Sequence, residues 1–232
     1  MSLLLLVRHG QASFLADDYD QLSEKGQEQA RILGRFWSER GFCPSLVVVG
    51  PCRRHEQTWQ GILEGLAPDK TPEVQHLKDW DEYDSIALMK KVLPGLMETD
   101  PELKEYAEAY EKEPAKSFQK MFEIVTKRWI REELDVEGVE PWAVFRSRVQ
   151  RGWKELVAGA ERGSTIAVVT SAGPVASVMA DVLGLSEELA LSLSWQVYNA
   201  SVTEFLFSSN QISLSRFNTT PHFSEKKWVT YR

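Results

Sequence analysis

The chain has 232 residues, of which 43% are hydrophobic and 26% charged, and a formal net charge of −7. That length supports a substantial core without disulfides or a structural metal, and the ordinary apolar fraction argues against general disorder. The acidic balance disfavours an extended nucleic-acid surface or attachment to an anionic membrane, and no stretch approaches the roughly 20 apolar residues of a membrane-spanning helix.

Two cysteines, Cys43 and Cys52, are too few for a disulfide framework, so a reducing compartment is the default. Residues 1–7 hold a short apolar run that meets Arg8 and His9 at once. That is too short for a signal-peptide core, and the expected location is cytoplasmic.

Residues 3–7 form a continuous apolar run of strand length, the pattern of a strand buried on both faces. It ends at Arg8-His9-Gly10. From Ser23 to about Arg40 the pattern is helical, with Ser23 as N-cap, Ala30, Leu33, Phe36 and Trp37 as apolar stripe, and Gly41 as the stop. A second strand, Leu46–Val49, ends at Gly50-Pro51. A helix then begins near Arg54, burying Trp59, Ile62, Leu63 and Leu66. Residues 85–160 read as an insertion of several helices, one of which starts at Pro141. A third strand over residues 166–170 ends at Ser171-Ala172-Gly173. Pro174 suits the first turn of the next helix, with Val175, Val178, Met179, Val182 and Leu183 as its stripe and Gly184 as its end. Residues 197–207 and 212–217 then read as two strands joined at 208–211, an antiparallel hairpin on the same sheet.

Alternating strands and helices imply an α/β fold, a three-layer α/β/α arrangement with a mostly parallel central sheet. The expectation is one domain over residues 1–232, with the helical insertion at about 85–160 as a lid over one end of the sheet. The insertion is also the expected seat of substrate choice.

Ligands of open α/β sheets bind beyond the carboxyl ends of the strands. Three polar clusters fall there: Arg8-His9-Gly10, Pro51-Cys52-Arg53-Arg54 and Ser171-Ala172-Gly173. Two lead into helices, whose N-termini attract anions. Fixed arginine charges and helix N-termini converging on one crevice describe a phosphate pocket, a concentrated basic site in an acidic protein. Arg8 and His9, adjacent in a strand, reach one ligand only if the backbone turns there, and Gly10 eases that turn.

These residues resemble a known family. Leu-Val-Arg8-His9-Gly10-Gln11-Ala12-Ser13 after a first strand is similar to the signature of the histidine phosphatase (phosphoglycerate mutase-like) superfamily. The segment from Leu22 to Ala30 resembles that family's Leu-Ser/Thr-x-x-Gly-x-x-Gln-Ala. Pro51-Cys52-Arg53-Arg54-His55-Glu56-Gln57-Thr58 resembles its Pro-x-x-Arg-x-x-Gln-Thr. The resemblance implies a phosphohistidine intermediate on His9, which divides one hard displacement into two easier ones. Arg8 and Arg54 then hold the equatorial oxygens without a metal or other cofactor. Gln11, Ser13 and Ser171 are expected to bind substrate. In Asp79-Trp80-Asp81-Glu82-Tyr83-Asp84, Glu82 fits the family's general acid, with Asp79 the second choice.

One departure stands out. The family has a second histidine in a Ser-His-Gly-Gly segment, whereas this chain has Thr170-Ser171-Ala172-Gly173, so Ser171 occupies the histidine position. Losing one preorganised donor costs about 10²–10³ in rate. Either activity is weak or another group substitutes, and His55 and His222 are the available candidates. His55 could equally cap its helix or face solvent, and His222 is expected to be a structural loop histidine.

Other chemistries fit worse. A cysteine phosphatase built on Cys52 needs arginine where Thr58 stands, and a hydrolase elbow at Ser171 needs glycine where Val169 stands. Cys52, His55 and His76 lack a recognised metal-ligand spacing. The expected activity is hydrolysis of a phosphomonoester or phosphoprotein. The alternatives are a phosphate-sensing module with little turnover, or phosphoglycerate mutase-type transfer. The expected partner is a phosphorylated small molecule or phosphoprotein, with no nucleic acid and no membrane.

Overall fold

A computed structural model describes residues 1–13, 20–67, 69, 71–208 and 211–231. In chain order the elements are β1 (Ser2–Arg8), α1 (Glu24–Glu39), β2 (Leu46–Val49), α2 (Arg53–Gly65), β3 (Glu73–His76), α3 (Ser85–Thr99), α4 (Pro101–Ala109), α5 (Pro114–Ile130), α6 (Trp142–Gly159), β4 (Thr165–Thr170), α7 (Ala172–Leu183), α8 (Glu187–Ser194), β5 (Val202–Phe207) and β6 (Ile212–Thr219). They form two compact units. One comprises Met1–Glu82 with Arg148–Arg232, and the other is Tyr83–Ser147.

The first unit is built on a six-stranded sheet of order β3-β2-β4-β1-β5-β6. The strands β3, β2, β4 and β1 are parallel; β5 is antiparallel to β1 and β6 to β5. This is the mostly parallel sheet with a C-terminal hairpin that the sequence implies. In β1, Leu4, Leu5, Leu6 and Val7 are all buried, so the strand is covered on both faces. Alternation sends Leu5 and Val7 toward one side, where they pack with Val47, Val49, Ala167 and Val169 beneath Ala30, Leu33 and Trp37 of α1 and Trp59 and Ile62 of α2. α7 packs on β1 as well.

Helix ends follow local chemistry. Ser23 caps α1, its hydroxyl accepting from the Gly26 N–H at 3.1 Å, and Gly184 ends α7 in the left-handed region at φ 65°. The Pro141 carbonyl accepts the first N–H bonds of α6, from Val144 and Phe145.

In the second unit, Asp84 caps α3 and Asp100 caps α4, with Pro101 at the first position of α4. Its two tryptophans and two of its methionines are core: Met89, Met121, Trp129 and Trp142 are buried, and Trp129 lies 4.8 Å from Tyr83 and 5.1 Å from Trp142 between ring centroids. Helix α6 starts in this unit and ends in the first.

The structure departs from the sequence reading in three elements, one of them α8, which that reading did not include. The edge strand β3, Glu-Val-Gln-His, carries one apolar residue and gives no hydrophobic signal; backbone pairing with β2 makes it a strand. Residues 197–201 are not strand. Ala200 has φ 53°, and the backbone there bonds to the site and to the C-terminal segment, with Arg8 N donating to the Ser201 carbonyl at 3.1 Å and Asn199 N to that of Thr230 at 2.8 Å.

Candidate active site

The site forms where β1, β2 and β4 end, all within the first unit. His9 follows β1 directly. Its N–H donates to the Thr170 carbonyl at 2.8 Å, and its own carbonyl accepts from Ala200 N at 3.1 Å and from Asn199 Nδ2 at 3.4 Å. These bonds fix the backbone from which the imidazole projects. His9 Nδ1 lies 2.7 Å from the Gly10 carbonyl. A carbonyl only accepts, so Nδ1 carries the proton and the lone pair of the neutral ring is on Nε2. Burial pushes the His9 pKa well below its ordinary value, and the nearby Arg54, Arg8 and His55 push the same way against the Gly10 carbonyl. The ring is therefore neutral at physiological pH, with its lone pair on Nε2.

Gly10 serves a different purpose from the expected turn. Its φ is not in the left-handed region. A Cβ there would stand 2.3 Å from the Gly26 carbonyl oxygen, and a Cβ on Gly26 would stand 2.1 Å from that of Gln11. The glycines let α1 pass backbone-to-backbone against the His9 loop. The Gly10 N–H donates to Thr58 Oγ1 at 3.0 Å, and Thr58 in turn donates to the Arg54 carbonyl at 2.7 Å.

Gln29 and Gln57 of the two later motifs also hold backbone. Gln29 is fully buried; its Oε1 accepts from Gln11 N at 2.8 Å, and its Nε2 donates to the Trp228 carbonyl at 2.7 Å. Gln57 Oε1 accepts from Leu22 N at 2.7 Å.

Helix α2 brings Arg54 to the site, with its side chain only 11% exposed. Arg54 Nη2 donates to Ser171 Oγ at 3.3 Å, and Nη1 pairs with Asp20 Oδ1 at 2.7 Å. The Asp20 carboxylate also accepts from the Arg53 N–H at 2.8 Å, capping a helix whose N-cap residue Cys52 provides no side-chain bond. At α7 the Gly173 N–H donates to Glu82 Oε2 at 3.0 Å. Both helix N-termini expected to seat a bound anion thus already engage a carboxylate of the chain. The physics is the expected one, but the charge is internal.

Arg8 Nη1 donates to the Val197 carbonyl. Cys52 donates from Sγ to Asp81 Oδ1 at 3.0 Å, and burial pushes its pKa upward, so it is a thiol and no nucleophile.

Glu82 is held in place by α6. Arg148 Nη1 donates to the carbonyls of Asp79 and Asp81 at 3.1 and 2.7 Å, and Nη2 to that of Glu82 at 3.4 Å. The Glu82 carboxylate lies at the N-terminus of α7 beside Ser171, whereas the Asp79 carboxylate pairs with Arg151.

Gln11 Oε1 accepts from Ser23 Oγ at 3.3 Å, and Ser13 N donates to the Gln21 carbonyl at 2.8 Å. His55 does not face solvent. It is fully buried, with Nε2 2.7 Å from Ser171 Oγ and its ring centroid 5.8 Å from that of His9. His222 is elsewhere: it packs on Phe36 of α1 and on Phe223, and burial pushes its pKa down to about 4. Asp20, Asn199 and Arg148 carried no signal in the sequence reading, because each acts through backbone or through a partner far along the chain. Among the described residues, no group of three or more His, Cys, Asp or Glu side chains could hold a metal ion, and no helix is long and apolar enough to cross a membrane.

A histidine with its lone pair on Nε2, flanked by arginines at the carboxyl edge of a mostly parallel sheet, defines a class of phosphoryl-handling α/β proteins. The family model of the histidine phosphatase superfamily (branch 1) matches residues 4–91 and 83–220, and the chain belongs to that superfamily. Among solved structures it is similar to YhfR of Bacillus stearothermophilus (15% identity, TM-score 0.70, covering 96% of this chain and 99% of that one). It is also similar to a phosphoserine phosphatase of Entamoeba histolytica in complex with 3-phosphoglyceric acid (19%, TM-score 0.63, 96% and 99%). A third such structure is the alpha-ribazole phosphatase of Shigella flexneri (18%, TM-score 0.61, 94% and 96%). No curated protein sequence matches.

Proposed function

We propose that the protein hydrolyses a phosphomonoester through a phosphohistidine on His9. In the first step the Nε2 lone pair attacks phosphorus and the bond to the leaving oxygen breaks, while the Glu82 carboxyl gives its proton to that oxygen. In the second step water attacks the phosphohistidine, its proton passes to the Glu82 carboxylate, and the P–N bond breaks to return neutral His9 and inorganic phosphate. Arg8 and Arg54 offset the charge on the equatorial oxygens. The observation that carries this reading is the bond between His9 Nδ1 and the Gly10 carbonyl, which leaves the lone pair on Nε2. Asp79 is the weaker choice of acid because its carboxylate is taken up by Arg151, whereas that of Glu82 lies at the N-terminus of α7.

The supporting context is the superfamily, whose phosphatase neighbours are bound to or named for small phosphorylated molecules. Small phosphomonoesters are therefore the first substrates to try.

The test is turnover of a generic aryl phosphate by wild type and by His9→Ala. The expected outcome is measurable hydrolysis in wild type and a loss of at least about 10³-fold in the variant. Hydrolysis unchanged in His9→Ala contradicts the assignment. Tight binding of inorganic phosphate with no turnover of any phosphoester favours the sensing module instead.

A further inference from the structure

The scheme above leaves one imidazole of the site without a task. His55 projects from α2 into the space between His9 of β1 and Ser171 at the end of β4, with Arg54 beside it and the backbone of Gly50 behind it. Burial and Arg54 hold its pKa well below the ordinary value, so it is a neutral ring.

Ser171 is equally informative. It occupies the N-cap position of α7, where a serine hydroxyl ordinarily accepts from the N–H groups of its own helix, yet it makes no such bond. The hydroxyl is turned instead to His55 Nε2 at 2.7 Å and to Arg54 Nη2 at 3.3 Å. A hydroxyl has one hydrogen and two acceptor lone pairs. Arg54 can only donate. His55 Nδ1 is buried and makes no hydrogen bond, so the neutral imidazole keeps its proton on Nε2 and donates it to Ser171 Oγ; both lone pairs of Ser171 Oγ are then filled, and the single O–H must find an acceptor elsewhere. In a site built around a phosphoryl group, that acceptor is a phosphoryl oxygen.

We propose that His55 and Ser171 form one two-part phosphoryl-oxygen ligand, in which the Ser171 O–H donates to the phosphoryl group and His55 Nε2–H orients it from α2. Ser171 is then the catalytic residue and His55 the positioning residue. The pair does from two walls of the site what a single imidazole at position 171 would do from one. The inference rests on the phosphatase reading for its catalytic part, while its binding part stands without turnover.

The experiment is a double-mutant cycle of Ser171→Ala and His55→Leu, with His55→Gln as the conservative variant. The readouts are kcat and KM on the aryl phosphate and the dissociation constant for inorganic phosphate by calorimetry. Each single variant should lower kcat by about 10²-fold, and the double variant should be no worse than the worse single, because the two residues act as a unit. His55→Gln, whose amide can still donate to Ser171 Oγ, should stay within about tenfold of wild type. If His55→Leu does not fold, Ser171→Ala and His55→Gln decide, since neither empties the core. Turnover and phosphate affinity unchanged in Ser171→Ala, or losses that multiply in the double variant, overturn the inference. If Ser171→Ala is silent while His9→Ala abolishes turnover, the inference fails and the phosphatase reading stands. If turnover survives His9→Ala, that reading fails, and phosphate affinity in Ser171→Ala and His55→Gln decides the binding role alone.

Discussion

The attack on phosphorus proposed for His9 needs a neutral ring, and the residues around it arrange this in two ways. Burial beside Arg8 and Arg54 disfavours a third positive charge, and the Gly10 carbonyl directs the remaining proton to Nδ1. The cost of an error of placement here is large, so the loop is pinned atom by atom. Thr58 is the best place to test this. Its hydroxyl accepts from the Gly10 N–H and donates to the Arg54 carbonyl, linking nucleophile loop and arginine. Thr58→Val keeps the shape and strands a buried N–H, so denaturant unfolding should show a loss of about 1–3 kcal/mol. The same variant should lower kcat on the aryl phosphate more than it raises KM. At this scale the sequence was informative about identity and uninformative about purpose. Gln29, Gln57 and Thr58 were visible as motif letters, yet each turns out to hold backbone. Asp20 was not visible at all, because its partner Arg54 is 34 residues away and nothing in either local pattern links them.

The elements are joined at points where a side chain would not fit. A glycine inside a helix normally weakens it by about 0.5–1 kcal/mol relative to alanine, so Gly26→Ala in α1 would ordinarily stabilise. Here a Cβ on Gly26 would lie 2.1 Å from the Gln11 carbonyl oxygen, an obstacle of backbone that cannot rotate away. Overpacking of that kind costs about 1–3 kcal/mol, so it outweighs the helix gain. Gly26→Ala should lower the denaturation midpoint and, by pushing on the loop after His9, reduce turnover; a variant more stable than wild type contradicts the close approach. Periodicity recovered α1, α2, α7 and the central strands because most of each stripe is buried on a regular face, although Leu63 of α2 and Leu183 of α7, expected in those stripes, are exposed. It missed β3, whose Glu and Gln side chains carry no burial signal, and misread residues 197–201, where apolar letters belong to a turn set by the site.

On the scale of the whole molecule, three of the four histidines are buried and held neutral. Unfolded imidazoles titrate near 6.5, whereas His9 and His55 stay neutral well below that and His222 down to about 4. Between those values the unfolded chain binds more protons than the folded one, so folding stability rises with pH across that window. Stability should be full above about pH 6.5 and fall steadily on acidification toward about pH 4. Melting temperatures across that range check this, and His222→Gln should flatten the slope. A melting temperature independent of pH over that window contradicts the buried neutral rings. The net charge of −7 gave no hint of them, because it counts Lys, Arg, Asp and Glu wherever they lie and takes every histidine as neutral. The fold class was legible from the alternation of elements; the internal carboxylates at both helix N-termini were not, since composition cannot tell which acids point inward.

The central claim is a covalent bond between phosphorus and His9 Nε2. It is tested most directly by quenching the wild-type protein during turnover of a ³²P-labelled phosphomonoester and mapping the label. The account predicts an acid-labile, base-stable phosphoryl group on the peptide containing His9, absent from His9→Ala. Label on Ser171, or undiminished turnover by a His9→Ala protein that carries no label, would contradict it.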